Sequence, residues 1–297
     1  MTTLSASLPT TPPLANPSNR ARRIIITTLA YLVMIIGALA MVLPFVYSLA
    51  NSLKTLPDIN ANPILLVPTQ GIDTEWYQTI LSGEFIHWLF NSAVVAISIT
   101  LGHLVFDSMA GYALARITFP GRRIFFAGVL GTMMVPSIVL LIPRYLVYVQ
   151  LGMVDQYTGL IIPGLADAFG IFLMRQFFMS IPADIEEAAA IDGASRLRMF
   201  FTVIIPMAIP ALTTLAIFGF QGAWNDFTGP LIVINQNQSL FTLPLGLAKL
   251  RGSGYGASLP WGILLSGSII TTLPMAIIFF VFQRFFMESS TYSGVKG

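Results

Sequence analysis

Ser180-Ile-Pro-Ala-Asp-Ile-Glu-Glu-Ala-Ala-Ala-Ile-Asp-Gly-Ala-Ser-Arg-Leu-Arg198 is a hydrophilic interruption between two apolar runs, each long enough to cross a bilayer. Asp184, Glu186, Glu187 and Asp192 are four of the thirteen acids in the chain and fall within nine residues. Pro182 suits the first turn of a helix, where its missing N–H is no loss. Asp184 with Glu187 three residues on also fits a capping box, so two starting points are open. Gly193 is placed to end that helix, and Ser195 to cap another running back toward the membrane. Ile185, Ala188, Ala189 and Asp192 recur at i, i+3, i+4 and i+7, giving a small, mostly apolar stripe. Such a helix suits docking into a cleft of another protein; an ordinary solvated loop is the alternative.

Working outward, the chain is a polytopic membrane protein. It is 55% hydrophobic and 9% charged, with a mean hydropathy of +0.79, against roughly 25% charge in soluble domains. The expected layout is all-α with six transmembrane helices. A Ser/Thr/Pro-rich N-terminal tail (1–23), disordered at least to Asn19, precedes the first span (24–50), and an external loop with an interfacial helix at Trp76-Tyr77 follows (51–87). A five-helix core (88–286) holds spans from about Trp88, Ile124, Thr158, Thr202 and Trp261, the polar loop 181–198 and an external loop 225–260; a short tail (287–297) ends the chain. Eleven of the fifteen basic residues fall on the N-terminal side of the membrane and four on the other, which predicts cytoplasmic termini and a cytoplasmic 181–198 stretch.

Several chemistries are excluded. There is no cysteine, so disulfides, thiolate catalysis and cysteine–zinc sites are absent. Lys54, Lys249 and Lys296 are the only lysines and none follows a glycine, so no Walker A loop exists to bind ATP. Gly252-Ser-Gly-Tyr-Gly256 reads as a flexible turn rather than a phosphate loop. No nucleophile and base stand out as a pair, so an enzyme is not expected, nor any cofactor or metal of its own.

Ionisable groups inside spans are the candidate pathway residues, because an Asp at mid-bilayer costs about 2.5–3.5 kcal/mol on insertion scales and must face a wet cavity or the bundle interior. His103 and Asp107 share a helix face, either as a proton relay or as a structural pair. Asp167, among the small residues of Gly164-Leu-Ala-Asp-Ala-Phe-Gly170, is either a substrate-pathway group or a structural hydrogen-bonding one. Trp224, Asn225 and Asp226 combine an aromatic plane with amide and carboxylate, a chemistry suited to sugars; an interfacial tryptophan with a polar helix cap is the other reading. A proton-coupled secondary transporter using His103, Asp107 and Asp167 is the competing function.

Glu187-Ala-Ala-Ala-Ile-Asp-Gly193, followed by Val203-Ile-Ile-Pro206, resembles the EAA signature of ABC-importer permeases. Further stretches are similar to the carbohydrate importers of the maltose-transporter type, and among them to the MalG-like subunit. These are Trp88-Leu-Phe-Asn-Ser92, Tyr112-Ala-Leu-Ala-Arg116, Phe119-Pro-Gly-Arg122, Met134-Val-Pro136, Phe172-Leu-Met-Arg-Gln-Phe-Phe178, Trp224-Asn-Asp-Phe227, Thr242-Leu-Pro244 and Val295-Lys-Gly297. The resemblance implies a type I ABC-importer (MetI-like) permease fold in a bacterial or archaeal plasma membrane, and a heterodimer with a homologous second subunit. It further implies two ATPase subunits that hold the ATP and Mg, an extracytoplasmic substrate-binding protein touching the outer loops, and a sugar substrate. Glu187 would contact the ATPase, Ala188 and Ala189 would be the close-packing face, Asp192 would belong to the same coupling helix, and Gly193 would make the turn.

Overall fold

The computed structural model describes residues 17–250 and 261–293. Every regular element among them is helical. α1 (Pro17–Ser52) leads into two short helices, α2 (Leu56–Ala61) and α3 (Glu75–Ser82). α4 (Phe85–Arg116) is continuous but widens into a π turn at His103–Asp107. α5 (Arg122–Met134) and a helical segment of 3-10 turn plus α6 (Leu141–Gln150) meet at a 95° bend. α7 (Tyr157–Ile161) and α8 (Ala168–Ser180) form the next crossing, followed by α9 (Ala183–Ile191). α10 (Arg196–Met207) and α11 (Ile209–Trp224) bend by 80°; α12 (Thr228–Val233), α13 (Leu243–Leu250) and α14 (Trp261–Ser293) complete the described chain.

Among the described residues four helices are long and apolar enough to cross a bilayer, and the two bent pairs bring the number to six when each counts as one span. Six spans, the number expected from the sequence, agree with the upper count, but the expectation drew two of them straight. Pro136 causes the first bend: the residue before a proline is driven out of the α region, and Val135 is extended at φ −86°, ψ 118°. The second bend falls at Ala208, between Pro206 and Pro210, neither of which can donate to the helical ladder. The fifth span also begins at Arg196 rather than Thr202. α1 begins at Pro17, so the tail (1–23) expected to be disordered at least to Asn19 is helical from that point, and α14 runs on to Ser293; the parts of these helices apolar enough to cross a bilayer are Arg22–Ser52 and Trp261–Gln283, beside the expected 24–50 and 261–286. Residues 1–16, Gly252-Ser-Gly-Tyr-Gly256 and Val295-Lys-Gly297 lie outside the described residues.

α4 is the spine. Glycines let its neighbours approach to backbone contact: a Cβ at Gly102 would meet the Leu165 backbone at 2.7 Å, and one at Gly111 would meet Arg175 N at 2.9 Å. At its Phe85 end, Asn91 donates to Ser239 O (2.7 Å) and Phe241 O (2.9 Å), and Ser92 Oγ accepts from Leu243 N (2.8 Å). The described part (225–250) of the stretch expected as a long external loop (225–260) is therefore pinned down as α12 and α13, with Val233, Leu240, Phe241, Leu243 and Leu245 in the core. Asp155, at φ 57°, reinforces this by accepting from the backbone N–H groups of Asn235, Gln236 and Asn237.

The 51–87 segment is likewise folded. Lys54 is fully buried and donates to Asn51 Oδ1 (3.1 Å), Asn62 O (2.9 Å) and Leu65 O. Asp58, equally buried, accepts from Thr69 N (2.8 Å), Thr69 Oγ1 (2.5 Å) and Asn62 Nδ2 (3.1 Å). The expected helix at Trp76-Tyr77 is α3, which is packed onto the bundle: Trp76 Nε1 donates to Lys54 O (2.7 Å), and Tyr77 bonds Ser52 (2.7 Å).

Candidate coupling site and pathway residues

The hydrophilic stretch folds as a short helix between two turns. Pro182, at φ −57°, ψ 139°, stands at the N-cap, one residue before α9. Asp184 lies within the helix and makes no side-chain cap, so the proline start is realised and the capping box is not. At the other end Gly193 takes φ +77°, its N–H bonds Ala190 O (3.0 Å), and Ala194 N bonds Ala189 O (3.0 Å). That pair of bonds is a Schellman ending, which needs a left-handed residue where glycine stands. Ser195 Oγ then accepts from Arg198 N (3.3 Å) and starts α10.

The faces of α9 differ from the sequence expectation. Ile185, Glu186 and Ala189 turn inward, and Ile185 and Ala189 pack on the cluster around Phe178, Met199 and Phe200. Asp184, Glu187, Ala188 and Ile191 form the outward face at i, i+3, i+4 and i+7, with Ile191 86% exposed. The stripe of Ile185, Ala188, Ala189 and Asp192 is thus split, and Ala188 and Ala189 do not share a packing face. Asp192 and Gly193 are exposed at the turn.

What holds the inward face is a pair the sequence reading left unassigned. Arg116, the last residue of α4, places Nε 3.0 Å from Glu186 Oε1, with the two side chains only 16% and 18% exposed. Its Nη2 donates to Phe178 O (2.7 Å), which also accepts from Ile181 N (3.4 Å), and to Ile181 O, both carbonyls at the end of α8 where the helical ladder runs out. One guanidinium therefore ties together the ends of α4 and α8 and the short helix α9. Arg122 caps α4 by donating to Leu114 O and Ala115 O (both 2.7 Å), and Arg175 stacks its guanidinium 3.8 Å over Phe126. The signal was in Tyr112-Ala-Leu-Ala-Arg116, where an arginine ending an apolar helix counted only as loop charge.

The pathway candidates separate. Asp167 breaks the span between α7 and α8 and caps α8 by accepting from Gly170 N (2.6 Å). Its side chain is 46% exposed and lies 3.7 Å from His103 Nδ1, beside Asp107. Asn225 and Asp226 are exposed at the end of α11, with Asp226 accepting from Gly229 N (3.0 Å). Trp224 is different: it is 2% exposed, stacks on Phe220 at 5.4 Å, and donates Nε1–H to Thr271 O (3.1 Å). Its ring has no free face for a sugar. It is a core residue joining α11 to α14, which corrects its placement among the pathway candidates.

Residues 107–288 match the family model of binding-protein-dependent transport system inner membrane components. The chain belongs to this family. The permease is 36% identical over 259 residues to the arabinooligosaccharides transport system permease protein AraQ of Halalkalibacterium halodurans, covering 86% of this chain and 91% of that one. AraQ of Bacillus subtilis is 39% identical over 223 residues, covering 74% and 78%. The sn-glycerol-3-phosphate transport system permease protein UgpE of Brucella abortus (strain 2308) is 31% identical over 267 residues, covering 88% and 94%. Among solved structures, a chain of a bacterial ABC transporter involved in the import of the acidic polysaccharide alginate superposes with a TM-score of 0.78 at 26% identity, covering 93% of the permease and all of that chain. The permease is an inner-membrane transport subunit of the ABC-importer type, and the secondary-transporter alternative finds no support among these relatives.

Proposed function

We propose that the permease forms half of the translocation pathway of an ATP-driven, binding-protein-dependent importer of oligosaccharides or glycosides. The observation that carries this is the two-sided build of α9. One side is clamped to α4 and α8 through Arg116 and Glu186, and the other presents Glu187, Ala188 and Ile191 to a partner. Two ATP-binding subunits, holding ATP and Mg, dock there from the cytoplasm; a homologous second permease completes the pathway, and a substrate-binding protein meets the opposite end. The eleven-to-four distribution of basic residues supports this orientation, with both termini inside.

In this reading ATP-driven closure displaces α9 as a rigid piece. The Arg116 cluster passes the displacement to the second and fourth spans, and the Gly193–Ser195 turn passes it to the fifth. Asp167, Asn225 and Asp226 are the residues of this chain proposed to line the pathway. The sugar class rests on the arabinooligosaccharide relatives, which have higher identity than the glycerol-phosphate one. The test is uptake by the reconstituted transporter with labelled arabinooligosaccharides and glycerol phosphate offered in parallel. Expected is ATP-dependent, binding-protein-dependent uptake of the oligosaccharide that a protonophore does not affect. Uptake by this chain alone, abolished by the protonophore, would overturn the proposal.

A further inference from the structure

We propose that His103, Asp107 and Asp167 form a binding site for one divalent transition-metal ion between α4 and α8. His103 Nε2 lies 2.7 Å from Gly164 O. A carbonyl oxygen only accepts, so Nε2 carries a proton and Nδ1 is the nitrogen left to ligate an ion. Nδ1 faces two carboxylate oxygens, Asp107 Oδ2 and Asp167 Oδ2, each at 3.7 Å. Their companion oxygens are already engaged: Asp107 Oδ1 accepts from Asp167 N (3.1 Å) and Asp167 Oδ1 from Gly170 N (2.6 Å). The carboxylates are thereby held with one free oxygen each toward the imidazole.

The three free atoms lie within 4.8 Å of one another, and all are acceptors. Asp107 is fully buried and its Oδ2 has no hydrogen-bond partner. A buried, unpartnered carboxylate oxygen is costly, and one that converges with two further acceptors calls for a cation at their centre. One imidazole nitrogen with two carboxylate oxygens is a donor set suited to Zn²⁺ or Mn²⁺ rather than to an alkali ion. Ligands about 2.1 Å from a tetrahedral zinc stand roughly 3.4 Å apart, close to the two 3.7 Å separations. The carbonyl behind Nε2 is the outer partner that a metal-bound histidine needs.

The local fold leaves room for this arrangement. The π turn at His103–Asp107 offsets the helix where both ligands arise, as π bulges do at functional sites. A Cβ at Gly170 would collide with the Asp107 carboxylate, and one at Gly219 would come within 3.0 Å of His103 Nδ1. Those glycines wall the site closely, while the half-exposed Asp167 leaves one side open for a water ligand. An ion here would staple the middle of the second span to the start of α8.

The assembled transporter, stripped with a chelator, is titrated with Co²⁺ and followed by its visible absorption, with Zn²⁺ as competitor. Expected is one Co²⁺ per copy of this chain with a tetrahedral spectrum that Zn²⁺ abolishes. Asp107→Asn presents an N–H donor to His103 Nδ1, replaces the cation by an internal hydrogen bond, and is expected to weaken binding by about tenfold or more. Asp167→Asn keeps the cap on Gly170 through its amide oxygen and loses one ligand, so it decides the matter if the first variant does not assemble. Cobalt uptake by the wild type no greater than by either variant would overturn the proposal and leave the three acceptors sharing a proton.

Discussion

Replacing Arg116 should separate coupling from assembly. Arg116→Ala removes the ion pair to Glu186 and both donated bonds, leaving Phe178 O with only its 3.4 Å bond from Ile181 N and Glu186 largely buried. Breaking a fully buried pair by deleting one partner costs about 3–5 kcal/mol. With exposures of 16% and 18%, solvent screening brings this toward about 2–3 kcal/mol. That is small beside a six-span bundle but large for the nine-residue α9, whose other anchors are Ile185 and Ala189. The variant should therefore insert and assemble while α9 loosens. Arg116→Lys, whose ammonium cannot fork between the carbonyls and the carboxylate, should retain about half of the effect. The assay is ATP hydrolysis per sugar imported by the reconstituted transporter, with and without loaded binding protein. Expected is retained basal hydrolysis and a loss of binding-protein stimulation of about tenfold or more, as a 1.4 kcal/mol change already represents tenfold. Glu186→Gln should show a weaker version, and the double variant should be non-additive by about 1 kcal/mol. An Arg116→Ala transporter with normal stimulation and stoichiometry would refute the role of the clamp.

Three other outcomes follow from single features. Gly193→Val forces a β-branched residue to φ +77°, at a cost of about 1–2 kcal/mol, and should reduce coupled transport without reducing insertion, as read by uptake and membrane quantitation. Trp224→Ala should lower the thermal stability of the assembled transporter, since emptying a buried tryptophan site costs about 3–5 kcal/mol, while Trp224→Phe should leave the apparent sugar affinity unchanged. Asp58 is held down to a pKa of about 2 by the Thr69 hydroxyl first, against burial, with further help from Thr69 N and Asn62. A depressed carboxylate stabilises above its unfolded value and loses that contribution as pH falls through its folded one, so the 51–73 segment should loosen between about pH 4 and pH 2. Hydrogen exchange confined to that segment checks it, and Asp58→Asn should flatten the dependence.

The six crossings were legible because apolar runs near twenty residues have few other readings in a chain with 9% charge. Gly193 and Ser195 were legible because each answers a local backbone need, a left-handed residue and an N-cap. What depends on tertiary contact was not. Lys54 counts as an outer-loop charge in sequence, yet its buried ammonium finds acceptors from Asn51 to Leu65. Trp224 offers a sugar-binding plane in isolation, and only packing reveals Phe220 and the Thr271 carbonyl against it. The α9 stripe failed for a related reason. Helical periodicity names two apolar residues on one edge, but the choice of inward edge was made by Arg116, seventy residues earlier, drawing Glu186 in. The bends at Pro136 and Ala208 were within reach, since Pro136, Pro206 and Pro210 stand in those runs; their angles depend on the partners that satisfy the freed carbonyls.

The chain contains no cysteine, so a single introduced thiol reports one position. With Ala188→Cys or Ile191→Cys on the outward face and Ala189→Cys on the inward one, a short bifunctional cross-linker applied to the assembled transporter tests where α9 docks. Expected is a cross-link from positions 188 and 191 to the ATP-binding subunit, changing with nucleotide state, and none from position 189. Cross-linking from 189 but not from 188 or 191, or no contact of α9 with that subunit in any nucleotide state, would contradict the coupling role.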